Sequence, residues 1–283
     1  MIMRTKTIFA LFVTMMATMA CQESKQEENE ETEELDVPEC VVTTPPDSLH
    51  LDPFYKKYVD VNGIPLISSH RVPDSAIVAA HRTLYAMTSM LPKVVLDSMV
   101  NRGTRVAIMA RYEGTTDIPE HRDLANDTTL NWDLRARGLG GDQNLPLTSC
   151  AEENVLAYQI DKYHAEDILI HEFAHSIHLI GLMLAVKDFD SRLKQCYENA
   201  KMRGILDATY RITDKEEYFA EAVQDWFNVN AEMDHADGKH NWCNTREELQ
   251  EYDPDLYSLL AEYFPKTNLQ ISKHKKVNEI SKY

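Results

Sequence analysis

The sequence predicts an α+β fold, with a small N-terminal sheet followed by a helical C-terminal half. Three stretches carry that expectation. Residues 105–112, RVAIMARY, are rich in apolar groups and alternate, the period of a strand. Before them, residues 74–90 space Ile77, Ala80, Leu84 and Met87 as a helix does. A second helix then runs from Pro92 through Val94, Val95 and Met99 until Gly103 stops it. After them, from about Ala165 onward, the apolar groups recur with helical period. Residues 113–150 read as loop, with Gly138, Gly140, Gly141 and Pro146. The GLGGD run in it lacks the Lys and Ser or Thr of a phosphate loop and reads as a turn. Residues 154–159 read as a short strand.

The composition is that of a globular chain: 283 residues, 43% apolar, 27% charged. Its net charge of −17 argues against nucleic acid as a partner, because phosphate binding needs clustered Lys and Arg. The same charge argues against adhesion to anionic lipid through a basic face. It weakly favours basic or neutral substrates. Residues 22–36 set eight acids against Lys25, and Pro38, Pro45 and Pro46 follow. Such a segment buries too little to offset its ordering entropy, so residues 21–48 read as a tether and 49–283 as the folded domain.

The N-terminus carries Arg4 and Lys6, then an apolar run over residues 8–20 interrupted by Thr14 and Thr18. A spanning helix needs about 20 apolar residues, so this shorter run reads as a signal peptide, residues 1–20. Ala20 before Cys21 resembles a bacterial lipoprotein signal, in which the thiol is acylated. Thr18 departs from it, standing where that signal usually has Leu. Plain secretion with cleavage at the same bond is the alternative. The expectation is a protein of the cell envelope, exposed outside the cytoplasm and held to a membrane through a lipid on Cys21. Cys40, Cys150, Cys196 and Cys243 remain, with three possible pairings. The absence of a C-x-x-C spacing argues against a cysteine zinc site.

Residues 171–175 read HEFAH. Residues four apart share one helical face, so His171 and His175 can present ring nitrogens to one ion, with Glu172 placed to reach a water beside it. The flanks Ile168, Leu169, Ile170, Phe173, Ala174, Ile177 and Ile180 are apolar, so the helix is expected to be buried, where His and Glu need partners. A metzincin would place Gly three residues and His six residues after His175. Here His178 and Gly181 stand in the reverse order, so the third ligand is sought elsewhere. Residues 213–227, TDKEEYFAEAVQDWF, open with what reads as a capping box, Thr213 and Glu216, and carry an apolar face. Glu217 and Glu221 stack four apart on that helix.

HEFAH followed by EYFAE resembles the glutamate zincins, a metallopeptidase class that includes the anthrax lethal factor catalytic domain and the clostridial Pro-Pro endopeptidases. The resemblance covers about residues 165–230. It implies a zincin-like fold, a Zn2+ cofactor and a protein or peptide substrate. It implies Glu217 as the third ligand beside His171 and His175, and Glu172 as the base. Glu221 would support a ligand His, and Tyr210, seven residues before Glu217, would aid the transition state. His235 or His240 could take the tyrosine's part instead. The competing reading is a surface-anchored binding or structural lipoprotein with a vestigial metal site. The anchoring expectation has its own test. Cys21→Ser should move the protein from the membrane to the soluble fraction, and unchanged membrane partition would refute it.

Overall fold

The computed structural model describes residues 35–269. The signal peptide, Cys21 and the acid run up to residue 34 lie outside the described residues. Among the described residues the architecture is α+β, with five strands and ten α-helical segments.

Strands β1 (Lys57–Val61) and β2 (Ile64–Ser68) form a hairpin. Its turn is Asn62-Gly63, both at positive φ (53° and 87°), the backbone that a two-residue hairpin turn requires. Helices α1 (Asp74–Thr88) and α2 (Lys93–Asn101) then cross to β3 (Arg105–Met109), which pairs parallel to β2. Both helices match their predicted spans. The strand stops at Met109 rather than Tyr112, because the Ala110 amide donates to the Glu113 carboxylate (2.8 Å) and closes a turn. Four of its five residues are buried, the pattern of a central strand covered on both faces rather than a half-exposed one.

The segment read as loop holds a short helix α3 (Trp132–Arg135) and two further strands, β4 (Gly138–Leu139) and β5 (Leu147–Ala151). The sheet order is β1-β2-β3-β5-β4, with β5 parallel to β3 and β4 an antiparallel edge. GLGGD is therefore part edge strand, not only a turn. Residues 154–159 are not a strand. They lie in helix α4 (Glu152–Val155) and a turn in which Ala157 takes a positive φ of 55°. Asn154 explains this: its amide donates to Asp161 (3.0 Å) and to the Glu166 carbonyl (2.9 Å), and its oxygen accepts from Ile168 N–H (2.9 Å). A side chain tied at three points folds the chain back toward the next helix.

That helix, α5 (Ile168–Ser176), widens into a π-helical stretch at Ile177–Leu182 and ends as α6 (Met183–Ala185). Residues Ile168–Ala185 are long and apolar enough to cross a membrane, yet 67% of that stretch is buried in the core, where it carries the HEFAH residues. Gly181 lets α2 approach the widened turn, since a Cβ there would sit 2.8 Å from Val95. Ser98 of α2 donates to the Ile180 carbonyl (2.7 Å). The chain continues through α7 (Phe189–Met202), α8 (Lys215–Trp226), α9 (Arg246–Tyr252) and α10 (Pro254–Leu260). Helix α8 starts one residue later than expected. Its N-cap is Asp214, which accepts from Glu217 N–H (2.8 Å), so the Thr213–Glu216 capping box does not form.

Most of the core lies on the helical side of the sheet, where Phe173, Phe219 and Trp226 are fully buried. Truncating one of these to Ala costs about 3–5 kcal/mol. A smaller cluster, with Tyr55, Met109, Ile118 and Leu147, covers the opposite face. Residues 35–49 run against this body. Leu35, Cys40 and Val42 pack on the core, and Thr43 exchanges backbone hydrogen bonds with Tyr58 (2.9 and 2.8 Å). Among the described residues Cys40, Cys196 and Cys243 are free thiols.

Candidate metal centre

Helix α5 sets His171 and His175 one turn apart, and α8 packs across it. Asp167 caps α5, accepting from Ile170 N–H (3.2 Å). The two helices bring three donor atoms together. His171 Nε2 lies 3.0 Å from Glu217 Oε2 and 3.3 Å from His175 Nε2, and His175 Nε2 lies 3.6 Å from the same carboxylate oxygen. Three atoms bound tetrahedrally at about 2.0–2.1 Å stand about 3.3–3.4 Å apart, so this triangle fits one face of a zinc site. The chemistry of the set agrees. Two neutral imidazole lone pairs and a carboxylate aimed at one point repel one another unless a cation or added protons lie between them.

Electrostatics at the triangle point the same way. Burial opposes charge on His171, but the Glu217 carboxylate and then Glu172 outweigh it, and its pKa is pushed up to about 10. Burial likewise opposes charge on Glu217, yet the two imidazoles hold its carboxyl well below the usual range. Burial pushes the Glu172 carboxyl up, against the pull of His171 and His175. Glu172 lines the same cleft, and with His171 and His175 it forms a compact group of donor atoms.

Behind His171 the partner is a residue the sequence reading passed over. Its Nδ1 lies 3.0 Å from Gln224 Oε1, whereas Glu221 Oε1 lies 3.6 Å away, beyond a good hydrogen bond. Nδ1–H therefore donates to Gln224, which leaves the Nε2 lone pair free for an ion. Gln224 is held in turn, since its amide donates to the Asp167 carbonyl (3.2 Å). Glu221 accepts from the Asn230 amide (3.2 Å) and stands near Glu166 and His240, a second compact group of possible ligands. Gln224 follows Glu221 by three residues on the same helical face, and that spacing is the one signal the sequence held for it.

Tyr210 reaches the triangle. Its hydroxyl donates to Glu217 Oε1 (3.2 Å), and burial, then the Glu217 charge, pushes its pKa up to about 12, so it stays a donor at neutral pH. His240 lines the cleft and pairs with Glu166 at 3.2 Å, while His235 is exposed and does not line it. His178 is fully buried beside Asp190 (3.2 Å). Burial depresses its pKa to about 4, and it takes no part in the cleft.

The cleft encloses about 280 Å³, and β4 forms part of its wall. The edge strand lies against α5 because Gly138 within it and Gly140 just after it lack side chains. A Cβ on Gly138 would sit 2.7 Å from Ile168, and one on Gly140 would sit 2.8 Å from His175.

This geometry predicts a ranking. Gln224→Leu should weaken zinc binding by about 10- to 100-fold, the usual weight of a residue that orients a ligand imidazole. Glu221→Ala should cost less. Competition against a chromophoric chelator measures both, and the opposite ranking would contradict the assignment.

No family model and no curated protein matches the chain. Among solved structures it is similar to the Pro-Pro endopeptidase of Paenibacillus alvei, at 18% identity over 70% of this chain and 97% of that one, with a TM-score of 0.41. So distant a likeness bears on neither activity nor specificity.

Proposed function

We propose that the protein is a zinc-dependent peptidase with His171, His175 and Glu217 as ligands. The observation that supports it most is the triangle of donors at 3.0–3.6 Å, with the half-buried acid Glu172 on one side and a tyrosine hydroxyl on the other. Three protein donors, rather than four, are what a catalytic zinc site uses, and this disfavours a purely structural ion. A divalent ion bound there would lower the pKa of a water toward neutrality and polarise a carbonyl.

The chain's own groups supply the rest. Glu172 takes the proton from the attacking water and passes it to the departing amine, work for which burial raises its proton affinity. The Tyr210 hydroxyl, released from Glu217, donates a hydrogen bond to the oxygen that gains charge as the carbonyl is attacked. Gln224 keeps His171 in the tautomer and orientation required. A peptide is favoured over a small ester because β4 is an edge strand along the cleft, and an unpaired edge can hold an extended chain by backbone hydrogen bonds. The proposed setting, from Cys21, is the cell envelope.

Ligands and base should fail differently. His171→Ala, His175→Ala and Glu217→Ala should each lose zinc and activity together. Glu172→Gln should keep zinc while turnover collapses. Tyr210→Phe should keep zinc and lose about 100- to 1000-fold in kcat. Peptide cleavage and zinc content measured on each variant check this, and a Glu172→Gln protein that still cleaves at the wild-type rate would overturn it.

A further inference from the structure

The cleft has two electrostatic layers. Its floor holds acids, with Glu221 only 2% exposed and Glu172 and Glu217 half-buried against the imidazoles. Its mouth holds cations. Arg135, the last residue of α3, and Lys239 both line the cleft and are exposed. Among the described residues neither is ion-paired with a carboxylate. Of the acids near them, Glu166 is already 3.2 Å from His240, and Asp237 accepts from the backbone amides of Lys239 and His240.

Both cations rest on a fixed backbone. Lys162 donates to the carbonyls of Leu134 and Arg135, each at 3.0 Å. Tyr210 N–H donates to the Lys239 carbonyl (2.7 Å), and Gly238 N–H donates to that of Ala208 (2.8 Å). Asp237 accepts from the amides of Lys239 and His240 (2.9 and 2.8 Å). Lys239 thus stands on a tight turn fastened beside Tyr210. The crowding of charge is felt by Lys162. Burial, then the fields of Arg137, Arg135 and, more weakly, Lys239, holds its ammonium below the usual lysine range. Arg137 is paired with Glu153, but Arg135 and Lys239, without a carboxylate partner, run against the composition of a chain of net charge −17, and a ligand of opposite sign would offset their mutual repulsion.

We propose that this mouth selects a carboxylate on the substrate, from an Asp or Glu side chain near the bond to be cut or from a nearby C-terminus. The proposal rests on the peptidase reading and names its substrate class. It reverses the expectation from net charge. Fields from the distant surface are screened over about 8–10 Å in physiological salt, so the local pair at the mouth governs recognition.

The test uses full-length, zinc-loaded Glu172→Gln protein, which should hold peptides without cutting them. It is offered one randomised pool of peptides with amidated ends and another with free carboxyl ends, and captured peptides are sequenced by mass spectrometry. Asp and Glu should be enriched. The enrichment should fall about tenfold when Arg135→Glu and Lys239→Glu are added, the order expected for two partly exposed ion pairs made repulsive. Enrichment in the amidated pool assigns the contact to a side chain, and enrichment in the free-acid pool alone assigns it to the C-terminus. Capture without acidic preference, preference untouched by the charge reversals, or no capture at all overturns the proposal. Zinc content of the reversed variant, expected to match its parent, separates lost recognition from lost fold. The peptidase reading fails on a different result, namely wild-type protein leaving the captured peptides whole.

Discussion

One side-chain amide ties helices α5 and α8 together where their apolar faces pack. Gln224 accepts from His171 and donates to the Asp167 carbonyl at the cap of α5, so a slip of either helix breaks both bonds. The three-donor triangle spans these two helices and exists only in that register. A shift of one residue along α8 is 1.5 Å and a 100° turn, which would carry the Glu217 carboxylate away from the imidazoles. Each distance between the three donor atoms is thus inherited from helix packing, and the packing is inherited from the apolar faces of two amphipathic helices.

A buried ion pair extends the same frame to Tyr210. Its neighbour Arg211 meets Asp225 of α8 at 2.7 Å, with both side chains at most 3% exposed, and donates to the Cys243 carbonyl (3.1 Å). Such pairs add little net stability, but removing one partner strands a charge and costs about 3–5 kcal/mol. The pair fixes where the Tyr210 segment sits on α8, and Glu217, on the same helix, accepts from the tyrosine hydroxyl. On the other side of the cleft the constraint is steric. Gly138 and Gly140 let the edge strand lie where any side chain would collide with α5. Donors, tyrosine and edge strand are all referred to the same pair of helices.

What was legible in the sequence was local. HEFAH needs only one helical turn to bring His171, Glu172 and His175 together, so that part followed from spacing, whereas Glu217, on a second helix, was expected only from the resemblance. Tyr210 was found by its interval from Glu217. The N-terminal hairpin carried an Asn-Gly turn flanked by apolar runs and went unread. Strand β4 has two residues and exists because β5 pairs with it, so no periodicity could announce it. Gln224 is a neutral amide without a motif, and its role appears only when α5 lies against α8. Arg135 and Lys239 stand far apart in sequence and meet at one mouth through loops whose course no pattern fixes. The residues that hold and aim the site were hidden for the same reason, because their partners are distant in the chain.

The central claim is that the ion belongs between α5 and α8. X-ray diffraction at the zinc absorption edge, on crystals of the zinc-loaded protein, locates it without reference to activity. The account predicts one anomalous peak within coordination distance of His171 Nε2, His175 Nε2 and Glu217 Oε2. A peak instead among Glu166, Glu221 and His240, or no ordered peak in the cleft, would contradict it.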